Sequence, residues 1–128
     1  MPTLDTNCLV RWLIRDDPDK TAIIDALVAS RQRLRVPNVA IIETVFVLQS
    51  FYQLSRDDVA EAINLLIGQA TLDIDRELWS QVIAQYQAHP HLSCIDIYLS
   101  FDATRQSAGP LMTFDKKLIS QLGAAWPQ

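Results

Sequence analysis

Residues 4–18 read LDTNCLVRWLIRDDP, and this stretch sets the class of fold. Thr3-Leu4 is a brief apolar segment that Asp5-Thr6-Asn7 ends at once. Cys8 to Arg15 then reads as a short helix, which Asp16-Asp17-Pro18 breaks. A strand that turns straight into a helix is the first unit of an alternating α/β chain.

Working outward, the alternation continues. Pro18 to Arg31 carries Ile23, Ile24, Leu27 and Val28 at the spacing of one helical face. Arg33 to Val36 forms a second strand candidate, and Pro37-Asn38 supplies a stop and a helix cap. Asn38 to Tyr52 is rich in β-branched residues, but fifteen residues without a turn signal exceed a usual strand, so the segment reads as a buried helix. Ser55 with Asp58 resembles a capping box and opens a helix through Ile67 that Gly68 ends. Thr71 to Ile74 is a third strand, and Asp75 caps a helix to about Ala88. Ser93 to Gln106 is helical, Pro110-Leu111-Met112 is a fourth strand, Thr113 to Leu122 is the last helix, and Ala124 to Trp126 is a terminal edge strand. The pattern predicts one α/β domain over residues 1–128 with a parallel sheet. In such folds functional groups gather at the carboxyl ends of the strands.

The 128 residues suit one domain, and 49% hydrophobic with 20% charged residues is a globular composition. No window reaches the apolar length of a membrane span, and MPTLDTN lacks a secretory signal, so a cytoplasmic protein is expected. Cys8 and Cys94 are isolated thiols that read as small buried hydrophobes, and His89 and His91 read as surface residues. A formal charge of −4 argues against binding nucleic acid through bulk basicity. It does not exclude a nuclease, because carboxylates that hold cations add negative charge and each bound cation reverses the local field.

Most of the 15 acidic residues sit where water reaches them. Asp5, Glu43, Asp96 and Asp115 do not look like that: each ends or interrupts an apolar run. A carboxylate buried without a partner costs several kcal/mol, so each requires a cation or hydrogen bonds. Plain structural roles exist as well. Asp5 is placed to cap the following helix, Asp96 to complete a capping box with Ser93, and Asp115 to favour the first turn of a helix after Thr113. Glu43 lies a full turn beyond its cap in the most apolar run of the chain, where a buried arginine is the main alternative to a metal. Together, four acids at strand ends and on one helix can share a sheet edge. There they repel one another unless a cation binds among them. Their hard oxygens suit Mg²⁺ or Mn²⁺, and no thiolate or histidine cluster favours zinc.

These motifs resemble those of PIN-domain proteins, especially VapC-type toxins of toxin–antitoxin pairs. LDTNCLVRWLIRDDP is similar to the family's opening, and VPNVAIIETVFVL, SCIDIYLSF and PLMTFDKKL match its second, third and fourth acidic motifs in order. The resemblance implies a PIN-like three-layer sandwich: a central parallel sheet of about five strands with helices on both faces. It implies that Asp5, Glu43, Asp96 and Asp115 bind Mg²⁺ or Mn²⁺, with Thr6, Asn7 and Thr113 steadying the acids. It further implies endonucleolytic cleavage of RNA by water, a homodimer, and a small antitoxin partner. Ser93 stands where many relatives carry a further acid, and Tyr98 where small residues are common.

Two other readings stand beside a ribonuclease. One is a PIN module that binds RNA or a protein without cutting. The other is an aspartate-nucleophile phosphatase, which needs a second aspartate two residues after the first. That position is Asn7, and an amide cannot donate and recover the proton.

Overall fold

The computed structural model describes residues 1–128. It contains seven helices: α1 (Thr6–Ile14), α2 (Pro18–Ala29), α3 (Asn38–Ser50), α4 (Arg56–Ile67), α5 (Arg76–Ala88), α6 (Cys94–Arg105) and α7 (Lys116–Leu122). Two short strands, β1 (Leu34–Arg35) and β2 (Leu72–Asp73), pair in parallel. The chain divides into two compact units, Met1–Arg76 and Glu77–Gln128. No helix is long and apolar enough to cross a membrane.

In the first unit, Leu34 pairs with Leu72 and Arg35 with Asp73, while Thr3 adds a parallel bridge to Arg35. Leu4 N donates to Arg35 O at 2.9 Å and Arg35 N to Pro2 O at 2.7 Å, so the chain just before Asp5 runs as a third parallel line beside β1. The expected sheet of about five strands is therefore corrected to two strands, with a single bridge in place of the first. The remaining pairing joins Met112 to Ala125 in the second unit, also in parallel. Each extended segment lies where the apolar runs put it, but no more than three residues of each satisfy their N–H and C=O groups across a ladder. Length in a sheet is set by the partner, which a single segment does not encode.

The helices of the first unit start and stop for identifiable reasons. Asp17 caps α2 through the Lys20 N–H, with Pro18 at the first helical position, where its missing N–H costs nothing. Ser55 Oγ accepts from Asp58 N at 3.1 Å to open α4. The N-cap of α3 is Pro37, with Asn38 already inside the helix, so the expected Asn38 cap is shifted by one residue. α1 packs against α2 and α3, and α3 against α4. Leu4, Leu9, Trp12, Ile24, Val28 and Leu72 meet at a seam too narrow for a water molecule. Thr21 and Thr44 are buried, and each hydroxyl donates to a backbone carbonyl, Arg11 O and Ala40 O respectively.

In the second unit Trp79 is fully buried and stacks on Tyr98 with centroids 5.6 Å apart and planes at 11°. That contact explains a bulky side chain at position 98: it covers the indole face. α6 packs against α7, which ends at Gly123 with φ 72°, a left-handed turn that glycine adopts without strain.

Candidate active site

The short sequence between the first bridge and α1 fixes Asp5. Its backbone is extended, as an N-cap must be, and its Oδ1 accepts from Cys8 N at 3.0 Å. Asp5, Asn7, Cys8, Arg11 and Lys20 line a groove of about 550 Å³ whose floor includes Ile24. The groove therefore sets one carboxylate and one amide beside two cationic side chains. Burial pushes the Cys8 thiol above its ordinary range, and its hydrogen bond to Asp5 pushes it further the same way. Cys8 is half-buried and Cys94 buried, so the expectation of a small buried hydrophobe holds for Cys94 and only partly for Cys8.

Arg11 is not loose in this groove. Its Nη1 sits 2.5 Å from Asp16 Oδ1, and its Nη2 donates to Tyr52 Oη at 2.9 Å. The structure has Arg11 on the groove wall and Tyr52 holding it. Lys20 was not singled out from the sequence, although it lies one turn before Ile23 and Ile24 on the apolar stripe of α2.

Glu43 corrects an expectation. It is exposed, on the side of α3 that also carries Val39 (68% exposed) and Phe46 (67%), while Ala40, Ile41, Thr44, Val45 and Leu48 are buried. Apolar residues occur on both faces of α3, but only the Ala40–Ile41–Thr44–Val45–Leu48 face is covered, so apolar neighbours in sequence did not mean burial for Glu43. No arginine pairs with Glu43: the ion pairs of this region join Arg11 to Asp16, Arg15 to Asp25, Lys20 to Asp17 and Arg33 to Asp73.

In the second unit, Ser93 Oγ accepts from Asp96 N at 3.2 Å and opens α6. The residue that replaces a further acid is thus the cap of the helix. Asp96 is half-buried and its carboxylate makes no hydrogen bond back to the cap, so only half of the expected capping box forms. Asp115 is the N-cap of α7 itself, rather than part of its first turn. Its Oδ1 accepts from Lys117 N at 2.8 Å and from Leu118 N at 3.4 Å. Thr113 lies outside the helix, and its Oγ1 accepts from Asp115 N at 3.0 Å, which fixes the backbone that carries the carboxylate.

Two carboxylates are thus caps, and capping takes only one oxygen of each. Oδ1 of Asp5 and Oδ1 of Asp115 accept the helix N–H bonds, and neither cap uses Oδ2. Capping and ligation are compatible, since a carboxylate has lone pairs for both. The structure brings Asp5 and Asn7 to one groove and ties Thr113 to Asp115. It forms no group of three or more Asp, Glu, His or Cys side chains close enough to hold a metal ion. The donor chemistry nevertheless fits a hard divalent cation: open carboxylate oxygens with no competing ion pair.

The PIN domain profile matches residues 3–123, nearly the whole chain and all four acidic motifs. The chain belongs to the PIN-domain family, a family of nucleases. No curated protein and no solved structure matches it.

Proposed function

We propose that this protein is a divalent-metal-dependent endoribonuclease and the toxin of a toxin–antitoxin pair. The observation that carries the reading is the state of the four acids. The caps of Asp5 and Asp115 each use one carboxylate oxygen and not the other, and none of the four acids takes part in an ion pair. Unneutralised carboxylates at all four motif positions of a nuclease family are what a cation site requires.

Asp5, Glu43, Asp96 and Asp115 would hold Mg²⁺ or Mn²⁺. When bound, the cation supplies an acidified water and offsets the charge that grows on the phosphodiester. Thr113 holds the Asp115 backbone, and Thr6 and Asn7 follow Asp5 at the start of α1. Arg11 and Lys20 place positive charge along the Asp5 groove, where phosphate oxygens are drawn. Water adds to phosphorus, the bond to the 3′ oxygen breaks, and the products carry a 5′-phosphate and a 3′-hydroxyl.

A homodimer, a small antitoxin and a cytoplasmic site of action belong to the same reading. The exposed Val39 and Phe46 on α3 offer apolar surface for a second copy.

The test is direct. Purified protein freed of antitoxin should cleave structured RNA with Mn²⁺, stop with EDTA, and lose cleavage in Asp5→Asn and Asp96→Asn. Cleavage that survived both substitutions would remove the site assignment. A folded wild type inert on every RNA tested would favour a module that binds without cutting.

A further inference from the structure

Immediately before Asp115, the chain exposes an aromatic side chain. Phe114 is 70% exposed and Trp126 47% exposed, yet their rings meet edge to face with centroids 5.1 Å apart at 80°. The backbone beneath them is fixed. Met112 bridges Ala125 in parallel, Thr113 N donates to Ala125 O at 2.9 Å, and Ala125 N donates to Leu111 O at 2.8 Å. Phe114 and Trp126 therefore leave adjoining, hydrogen-bonded backbone as a preformed pair, and Met112 beside them is 62% exposed. Leaving this much apolar surface in water forgoes hydrophobic stabilisation, and an exposed patch of this kind marks a contact surface.

The charge around the pair indicates the occupant. Lys116 and Lys117 follow Asp115 directly, both are exposed, and neither joins any of the ion pairs. Exposed rings beside cations that join no ion pair form the pattern that binds single-stranded nucleic acid: bases stack on the rings and phosphates meet the ammonium groups. An apolar partner protein would use the rings and Met112 but would have to bury two lysines without partners.

We infer that Phe114 and Trp126 form a stacking platform for an unpaired base of the RNA substrate, with Lys116 and Lys117 contacting the flanking phosphates. The inference rests on the ribonuclease reading and adds to it a base subsite next to Asp115. The platform recognises an unstacked base, so the substrate class is single-stranded or looped RNA rather than a continuous duplex.

The test compares wild type with Phe114→Leu, Trp126→Leu, the double variant, and the ring-preserving Phe114→Tyr and Trp126→Phe. Cleavage kinetics are measured in Mn²⁺ on an unstructured oligoribonucleotide and on copies carrying one abasic position at a time. Loss of both rings should raise KM by about tenfold or more with kcat nearly unchanged, and the ring-preserving variants should stay close to wild type. One abasic position should weaken wild type in the same way and leave the double variant no worse. If the double variant cleaves with the wild-type KM while Asp5→Asn is inactive, the platform is wrong and the ribonuclease reading stands. If wild type cleaves no RNA, both fall. A dimer that becomes monomeric in the double variant at unchanged KM would make the patch an interface between copies and overturn the inference.

Discussion

Tyr52 Oη accepts from Arg11 Nη2 at 2.9 Å and donates to Asp16 Oδ2 at 3.2 Å, while Arg11 Nη1 meets Asp16 Oδ1 at 2.5 Å. This closed triangle ties Tyr52, two residues beyond α3, to α1 and to the segment that follows α1. Arg11 stands on the wall of the Asp5 groove, so the triangle also sets where one of the groove's cations points. Tyr52→Phe keeps the ring and removes both hydroxyl bonds. A partly buried hydrogen bond contributes about 1 kcal/mol net, so the variant should be less stable by about 1–2 kcal/mol. Urea unfolding checks this, with the midpoint falling and the slope unchanged. An unaltered midpoint would mean that the hydroxyl exchanges its two partners for water at no cost.

A second ion pair gives a pH dependence of known sign. Arg15 and Asp25 join at 2.5 Å, and the hydrogen bond from Arg15 holds the Asp25 carboxyl below its ordinary value against the opposing effect of desolvation. A carboxyl whose folded pKa is depressed stabilises the fold above its unfolded pKa. It loses that contribution as the pH falls through the folded pKa. Asp25→Asn should therefore melt slightly below wild type at pH 7, with the gap closing below about pH 4 and shrinking in high salt. Thermal melts at three pH values decide it. A gap that persisted in acid would assign the effect to packing and not to charge.

What the sequence disclosed follows the range of the interaction involved. Caps are local, and the Ser55, Ser93 and Asp5 caps fell where the residue types placed them. The extended segments were also placed correctly, but their lengths were not, because a ladder depends on a partner such as Leu72 for Leu34. Glu43 was misjudged for a different reason. Burial was inferred from apolar neighbours in sequence, while the neighbours that matter on a helix are three and four residues away, and Val39 and Phe46 are themselves exposed. The Arg11–Tyr52 bond spans 41 residues and the Phe114–Trp126 pair depends on the Met112–Ala125 bridge. Neither has a local signature. Thr-Phe-Asp does carry one hint, an aromatic residue directly beside an acid.

Exposure makes Glu43 a clean probe of function. A surface residue without an ion pair contributes little to the fold, and Glu43→Gln should leave stability within about 0.5 kcal/mol of wild type. The same change removes one of the charges proposed to hold the cation and should lower cleavage by about 100-fold or more. Melting temperature and single-turnover cleavage, measured on one preparation, separate the two effects. Full activity in a folded Glu43→Gln protein would leave the site to the other three acids.

Asp5 and Asp115 allow capping and catalysis to be separated by the choice of substitution. Each uses Oδ1, and not Oδ2, to accept helix N–H bonds. Asparagine caps a helix as well as aspartate does but carries no charge, whereas alanine loses the cap at a cost of about 1 kcal/mol. Asp5→Asn and Asp115→Asn should therefore melt close to wild type and cleave no RNA. Asp5→Ala and Asp115→Ala should be equally inactive and also less stable by about 1 kcal/mol. Added Mn²⁺ supplies the second axis. A ligand that binds only the folded protein raises its stability, by about 2.7 kcal/mol at one hundred times the dissociation constant. Wild type should gain melting temperature on Mn²⁺ addition, and both asparagine variants should gain much less. If the asparagine variants responded to Mn²⁺ and cut RNA as wild type does, Asp5 and Asp115 would be helix caps and nothing more.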